Sequence, residues 1–183
     1  GIDMASICAV TGAQQPLVRC MPNTPALLQQ GITGLCANSA VSDAQRAQAE
    51  QILGAAGITL WFEEESDLDA VTAVSGSGPA YFFYLMEAMI TAGEQLGLDR
   101  ATATKLTLAT ASGAAAMAEH GASEQTTPAQ LRTNVTSPGG TTERALAILD
   151  QHQTQAHIGE AIAGAAQRAQ ELAIELAKEF KRT

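Results

Sequence analysis

A glycine pair lies at the centre of the most chemically suggestive segment of this sequence, Thr136-Ser137-Pro138-Gly139-Gly140-Thr141-Thr142. The two glycines free the backbone, and helical patterning begins at Thr141 or Thr142. Successive N–H groups at a helix N-terminus bind anions without a cationic side chain, and the Ser137 and threonine hydroxyls add hydrogen-bonding capacity. The segment therefore predicts a site for a small anionic group. An ordinary loop with a threonine cap would give the same pattern.

Two other segments could contribute to a binding site. Met21-Pro22-Asn23-Thr24-Pro25 follows a predicted strand, and open α/β sheets bind ligands at the carboxyl ends of strands. Thr24 is also predicted to cap a helix, with Pro25 at its first position. Ser75-Gly76-Ser77-Gly78-Pro79 is predicted to be a flexible turn that opens a helix with free N–H groups. Its glycines would allow close approach of a backbone.

Composition excludes several classes of protein. The 183 residues are 46% hydrophobic and 16% charged, which is typical of a globular chain. The net charge of −9, with few and scattered basic residues, argues against a nucleic-acid partner. No stretch approaches the ~20 apolar residues of a membrane span, and Gly1-Ile2-Asp3 is not a signal peptide, so we expect a cytoplasmic protein. The missing initiator Met suggests that the native N-terminus lies elsewhere.

Cysteines and histidines show no metal-binding pattern. The cysteines lack CxxC spacing, lie among apolar neighbours and are predicted to be buried free thiols: Cys8, Cys20 and Cys36. The histidines are assigned to helix ends and the surface: His120, His152 and His157. We therefore predict no metal site.

The first third of the chain alternates between strand and helix patterns. A helix is predicted over Asp3–Val10, and the predicted strands are Leu17–Met21, Ile32–Ala37 and Ile58–Phe62. A capping box at Ser42 and Gln45 opens a helix to about Ala56, with Gly57 as its stop. This alternation predicts an α/β sheet.

Only helices are predicted after residue 65, over Leu68–Val74, Ala80–Leu96, Arg100–His120 (ending at Gly121), Pro128–Thr133, Thr142–Asp150 and Gln155–Lys181. The predicted domains are thus an α/β part, residues 1–65, and an all-helical part, residues 66–183. A doubly wound domain has ~5–6 strands and a GxGxxG turn, and this sequence offers neither. The predicted fold is an α/β remnant of a Rossmann-type dinucleotide-binding domain followed by an all-α domain.

Three motifs carry a family resemblance. The pattern Pro128-x-x-Leu131-x-x-x-Val135-Thr136-Ser137-x-Gly139-Gly140-x-Thr142-x-x-Ala145-Leu146-x-x-Leu149-Asp150 resembles the signature of Δ1-pyrroline-5-carboxylate reductases. Arg19–Ala26 and Ser75–Tyr81 extend the resemblance in the same order and spacing, over nearly the whole chain. That family reduces a cyclic imine to proline with NADPH or NADH. The resemblance implies that the all-α part is a dimerisation domain of an intertwined homodimer, which in some members assembles into a decamer.

The resemblance also assigns roles to residues. It implies that the backbone around the glycine pair holds the substrate carboxylate, and the predicted substrate-binding residues are Asn134, Ser137, Gly139, Gly140, Thr141 and Thr142. Thr142 would act catalytically by hydrogen bonding the ring nitrogen, and Asn134 is expected mainly to act as a C-cap that shapes the loop. The loop contains no Lys, His or carboxylate, which favours catalysis by positioning and polarisation. Thr126-Thr127 departs from the acidic residue and histidine of many members.

The cofactor side is assigned in the same way. The residues expected to face the nicotinamide and its ribose are Met21, Pro22, Asn23 and Thr24, while Gly76 and Ser77 would line the junction with the substrate. Capping and nicotinamide contact stay open for Ser77, and Arg19 is expected to serve structure. Without the adenosine-binding half, NADPH cannot be told from NADH. The chain alone should bind the dinucleotide poorly and turn over little.

Two other functions fit parts of the sequence. One is a stand-alone dimerisation and small-acid-binding module that never had a cofactor half. The other is a related α/β dehydrogenase for a hydroxy or amino acid, which would need a catalytic Lys or His from the helical part. Lys105 is the only internal lysine, and we expect it to be solvated or at an interface.

Overall fold

The computed structural model describes residues 2–12 and 15–180. It divides into two compact units. The first contains the residues up to Ala80 together with those from Gly159 onward, and the second is Tyr81–Ile158. The domain boundary predicted near residue 65 stays a prediction.

The first unit contains a three-stranded sheet in the order β1-β2-β3. Its strands are β1 (Val18–Met21), β2 (Gly31–Ala37) and β3 (Gly57–Phe62), each within one residue of its predicted bounds. β1 is antiparallel to β2, whereas β2 is parallel to β3. The parallel pair needs a crossover, which α2 (Asp43–Gly54) supplies, while a short 3-10 helix (Thr24–Leu28) suffices to reverse the chain between β1 and β2.

The start of β3 corrects one prediction. Gly57 does not stop the preceding helix, which ends at Gly54, but is the first residue of β3 and pairs with Gly31. Its φ is +142°, and a Cβ there would come within 1.9 Å of the Gly31 carbonyl oxygen. Glycine is required here because two backbones meet, not because a helix ends.

Two helices cover one face of the sheet, α1 (Met4–Thr11) and α3 (Asp67–Val71). Met4, Cys36 and Leu68 form the buried cluster, with Leu17, Met21, Phe62 and Val71 packed around it. Gly34 makes this packing possible, because a Cβ at residue 34 would lie 2.9 Å from Val71 Cγ1 and 3.1 Å from Leu68 Cδ2. The missing side chain on β2 lets α3 approach the sheet.

Local signals set the helix starts. The Asp3 carboxylate accepts from the Ser6 N–H at 2.6 Å and caps α1. The predicted capping box of α2 is confirmed, since Ser42 Oγ accepts from the Gln45 N–H and the Gln45 side chain accepts from the Ser42 N–H. Each bond satisfies a donor that the first helical turn leaves without a partner.

Arg19 and Glu65 form an ion pair with 2.7 Å between Nη1 and Oε1. The same carboxylate oxygen accepts from the Met4 N–H at 2.8 Å. The pair therefore joins β1, the start of α1 and the segment after β3. This is the structural role expected of Arg19.

The three cysteines are free and differ in burial. Cys36 is buried and Cys8 half-buried, but Cys20 is exposed on the outer strand β1, so the prediction of burial is wrong for Cys20. Burial raises the pKa of the Cys36 thiol, and the Glu65 carboxylate raises it further. Among residues 2–12 and 15–180, no cluster of His, Cys, Asp and Glu could hold a metal ion.

Helices make up the rest of the described chain: α4 (Gly78–Gln95), α5 (Arg100–Ser123), α6 (Pro128–Asn134), α7 (Thr141–Gln151) and α8 (Thr154–Phe180). The predicted end of the last helix, Lys181, lies outside the described residues. None of the helices in the described ranges has the length and apolar character needed to cross a bilayer.

The start and end of α5 show one correct and one wrong prediction. Asp99 caps the helix as expected, with its carboxylate accepting from the Thr102 N–H at 3.0 Å. Gly121 does not end it, because α5 continues to Ser123. Gly121 is buried, and a Cβ there would lie 3.2 Å from Leu131 Cδ1 of α6. This glycine allows two helices to pack closely.

Candidate functional site

The predicted anion-binding segment folds as a tight turn at the start of α7. The Gly140 N–H donates to the Ser137 carbonyl oxygen at 3.0 Å, and Gly139 has a φ of +71°. Proline followed by a glycine at positive φ is the pattern of a type II turn. A Cβ on Gly140 would come within 2.5 Å of Ser137 Oγ and 3.0 Å of the Ser137 carbonyl oxygen, so a side chain at this position would displace the Ser137 hydroxyl and crowd the turn.

Glu143 adds a feature that the sequence analysis missed. The Gly139 N–H donates to Glu143 Oε2 at 2.8 Å. Residues 136–142 themselves include no carboxylate, but the first turn of α7 folds the Glu143 side chain back onto the glycine pair. Glu143 stands three residues after the N-cap residue Gly140, which is the capping-box spacing and the signal that could have revealed it.

The donors beside the turn lie in the first turn of α7, which begins at Thr141. An α-helix supplies no acceptor for its first N–H groups, and its N-terminus carries a partial positive charge. Thr141 is exposed and Thr142 is half-buried. The backbone N–H groups and the side-chain hydroxyls of Thr141 and Thr142 can together bind a small anion that has a polar atom beside it.

Asn134 differs from its predicted role. It is the last residue of α6, and the C-cap is Val135, because the helix is one residue longer than predicted. The Asn134 side-chain oxygen accepts from Gln130 Nε2 at 2.9 Å, so it stabilises α6 itself.

A small cleft of about 190 Å³ lies between α6 and α7 and is lined by Arg132, Thr133, Thr136, Leu146 and Asp150.

The predicted cofactor residues at the end of β1 are partly engaged in structure. The Asn23 side-chain oxygen accepts from the Ile32 N–H at 3.0 Å. This bond links the start of β2 to the segment that follows β1. Asn23 is also the N-cap residue of the 3-10 helix, so the prediction that Thr24 caps it is wrong. The reason is that the Asn23 carbonyl oxygen already accepts from the Ala26 N–H, at 3.1 Å, and closes the turn one residue earlier.

The third motif is helical and not a flexible turn. Thr72–Gly76 forms a π-helical turn between α3 and α4, and the Ser77 N–H donates to the Thr72 carbonyl oxygen at 2.8 Å. The prediction of free N–H groups in this motif is thus wrong for Ser77, whose φ of −84° and ψ of −19° are helical. The turn places Gly76 against Met21, where a Cβ on Gly76 would come within 2.6 Å of Met21 Cε.

The family model described as pyrroline-5-carboxylate reductase dimerisation matches residues 65–172. The chain belongs to the pyrroline-5-carboxylate reductase family. The resemblance inferred from the three motifs is thereby confirmed.

Curated relatives extend the match toward the N-terminus. The pyrroline-5-carboxylate reductase of Pseudomonas aeruginosa is 56% identical over 176 residues, covering 96% of this chain and 63% of that protein. The Haemophilus influenzae enzyme is 41% identical over 172 residues, covering 94% of this chain and 63% of the enzyme. The chain therefore spans less than two thirds of the length of these relatives.

Solved structures agree with this assignment. A pyrroline-5-carboxylate reductase from Coxiella burnetii matches with a TM-score of 0.88 at 42% identity, over 94% of this chain and 63% of that one. The Plasmodium falciparum pyrroline carboxylate reductase, solved with NADP bound, matches with a TM-score of 0.87 at 29% identity, over 94% and 66% of the two chains. The predicted fold class, part of a Rossmann-type domain followed by an all-α dimerisation domain, is confirmed.

Proposed function

We propose that this chain provides the substrate-binding part of a pyrroline-5-carboxylate reductase, which reduces Δ1-pyrroline-5-carboxylate to L-proline with NADPH or NADH, the last step of proline biosynthesis. The single observation that carries the proposal is the type II turn at Ser137–Gly140 leading directly into α7 at Thr141. The turn and the start of α7 present backbone donors for a carboxylate. The half-buried Thr142 hydroxyl, one residue after Thr141, is placed for a ring nitrogen.

The reaction converts the C=N bond of the substrate ring to a C–N bond. A hydride forms the new C–H bond at the imine carbon, C2 of the substrate ring, which becomes C5 of proline. The nitrogen must carry a proton or a hydrogen bond for this carbon to be electrophilic. In this proposal Thr142 holds the nitrogen, as an acceptor from a protonated ring, while the donors of the turn and of α7 hold the carboxylate. The two contacts fix the ring in one orientation, which is the main catalytic contribution of this part of the chain.

A nicotinamide cofactor supplies the hydride when bound. Met21 ends β1, and the Met21 side chain packs against Gly76, so both predicted cofactor motifs lie together in the first unit. This placement at the carboxyl end of a strand fits the nicotinamide end of a dinucleotide. Pro22, Asn23 and Thr24 would contribute on the same side, and Ser77 on the side of the helical turn. The residues present include no glycine-rich turn for the pyrophosphate.

Self-association is part of the proposal. The second unit exposes large apolar side chains on α4, including Phe82, Phe83 and Tyr84, at 64%, 63% and 77%. Exposed apolar faces of this kind mark surfaces that another chain covers. A homodimer joined through α4 and α5 would bury them, and dimers could assemble further into a decamer. The proposed location is the cytoplasm.

The assignment of Thr142 is tested by Thr142→Ala in the full-length protein. Loss of one hydrogen bond to the reacting nitrogen should lower kcat/KM by roughly 10- to 100-fold while the thermal transition stays unchanged. Thr133→Ala is the matched control, because its hydroxyl donates to the Ala129 carbonyl oxygen within α6 at 3.0 Å. Wild-type kcat/KM in Thr142→Ala would exclude the assigned role.

Two further measurements test the wider proposal. The full-length protein should oxidise NADPH or NADH when given pyrroline-5-carboxylate, whereas the 183-residue chain alone should show little turnover. Absence of reductase activity in the full-length protein would refute the proposed reaction. The mass in solution should be that of a dimer or a multiple of it, and a monomer at all concentrations would contradict the proposed assembly.

A further inference from the structure

We propose that Glu143 sets the substrate affinity of this site by competing, with its own carboxylate, for the donor that the substrate carboxylate would use. The inference rests on the proposed function and adds a residue to it. Its basis is that Glu143 Oε2 accepts from the Gly139 N–H at 2.8 Å. A side-chain carboxylate therefore occupies the turn.

The donors of the glycine pair are both engaged. The Gly140 N–H is directed to the Ser137 carbonyl oxygen at 3.0 Å, where it closes the turn. The Gly139 N–H is therefore the donor of the pair that can be freed without opening the turn. A substrate carboxylate gains this N–H only when the Glu143 carboxylate leaves it.

Charge acts in the same direction as hydrogen bonding. Glu143 lies in the first turn of α7, where its negative charge already interacts with the positive end of the helix. A second carboxylate at Thr141 and Thr142 would gain less from the same end and would be repelled by Glu143. Both effects weaken the binding of an anionic ligand and leave a neutral ligand unaffected.

Exposure makes this competition reversible. Glu143 and Gly139 are both exposed, so the Glu143 side chain can swing into water when a ligand arrives. A hydrogen bond at an exposed site contributes little net free energy. Glu143 therefore tunes affinity by a moderate factor and does not close the site.

The test compares Glu143→Gln and Glu143→Ala in the full-length protein. The probe is L-proline binding by calorimetry, with L-prolinamide as a ligand that lacks the carboxylate charge. Glu143→Ala should lower the Kd for L-proline about 3- to 10-fold, the size expected for loss of one exposed carboxylate at a helix terminus. Glu143→Gln removes the charge but keeps an acceptor for the Gly139 N–H, so it should lower the Kd by a smaller factor. L-prolinamide keeps the ring ammonium and has no carboxylate to compete for the donor, so its Kd should stay unchanged or rise. With pyrroline-5-carboxylate, KM should fall while kcat stays the same.

Glu64→Gln serves as the charge control, because Glu64 is an exposed carboxylate of the first unit. A purely structural cap makes the opposite prediction: Glu143→Ala would then weaken L-proline binding, and Glu143→Gln, which keeps the acceptor, would not change it. Either of those results overturns the inference, as does equal tightening toward L-prolinamide. Failure of the wild-type protein to bind L-proline or to reduce pyrroline-5-carboxylate would instead refute the proposed function itself.

Discussion

The Met21 side chain lies so close to the backbone of Gly76 that a Cβ on residue 76 would come within 2.6 Å of Met21 Cε. Met21 is the last residue of β1, and Gly76 is the last residue of the π-helical turn before α4. Two segments far apart in sequence thus meet through one methyl group. The position of Met21 depends on the absence of a side chain at residue 76.

Gly76→Ala should therefore affect ligand binding more than stability. The new methyl group displaces only the flexible end of Met21, at a small cost in packing. The preference of a helix for alanine over glycine, about 0.5–1 kcal/mol, offsets that cost, so the free energy of unfolding should change little. If Met21 faces the nicotinamide, its displacement should raise the KM for the dinucleotide roughly 10-fold in the full-length protein. Gly54→Ala is the control, because a Cβ there meets nothing within 4 Å. An unchanged KM would remove Met21 from the cofactor site.

Gly34→Ala should destabilise the first unit. A Cβ at residue 34 would lie 2.9 Å from Val71 Cγ1, 3.1 Å from Leu68 Cδ2 and 3.2 Å from Phe62 Cε2, so the contact is with packed core groups. Overpacking of this kind should lower the free energy of unfolding by about 1–3 kcal/mol, measured by urea denaturation. Adding Val71→Ala should recover part of the loss. Equal stability of Gly34→Ala and wild type would show that α3 can move away from the sheet at no cost.

The Arg19–Glu65 ion pair should be coupled in stability. The side chains are 16% and 25% exposed, so removal of one partner leaves a poorly solvated charge on the other. Arg19→Met should cost about 1–2 kcal/mol, less than a fully buried pair because water reaches both groups. Glu65→Gln should cost a similar amount.

A double-mutant cycle provides the control for that prediction. The Arg19→Met/Glu65→Gln variant should lose less stability than the sum of the single changes, because neither charge is then left alone. Additive losses would mean that the two side chains act independently, with Glu65 contributing only through the Met4 N–H.

Local signals in the sequence were sufficient for most elements. The three strands were predicted from short apolar runs between turn residues, and the starts of α2 and α5 from the caps Ser42 and Asp99. These features depend on neighbours a few residues away, which a sequence displays directly. The glycine turn at the start of α7 belongs to the same class, since proline, two glycines and a threonine pair specify it locally.

Features that depend on distant contacts were missed. The sequence predicts helix stops at Gly57 and Gly121, whereas each glycine allows a close approach, of β3 to Gly31 and of α5 to Leu131. A glycine in a sequence does not reveal whether its missing Cβ or its free φ is needed. Glu143 is a different case, because its contact with Gly139 is local and its capping-box spacing from Gly140 is visible in the sequence.

Asp99 should make the start of α5 sensitive to acid. The Thr102 hydroxyl, and then the Thr102 N–H, donate to its carboxylate and lower its pKa below the ordinary value of 3.8. Because the folded pKa is the lower one, the cap is fully formed above pH 3.8 and is lost as the pH falls through the depressed pKa. Amide exchange in the first turn of α5 should accelerate over that range. Asp99→Asn keeps an acceptor that does not titrate, so its exchange should lose this acid-dependent step, and the same step in both proteins would assign the acid sensitivity to another carboxylate.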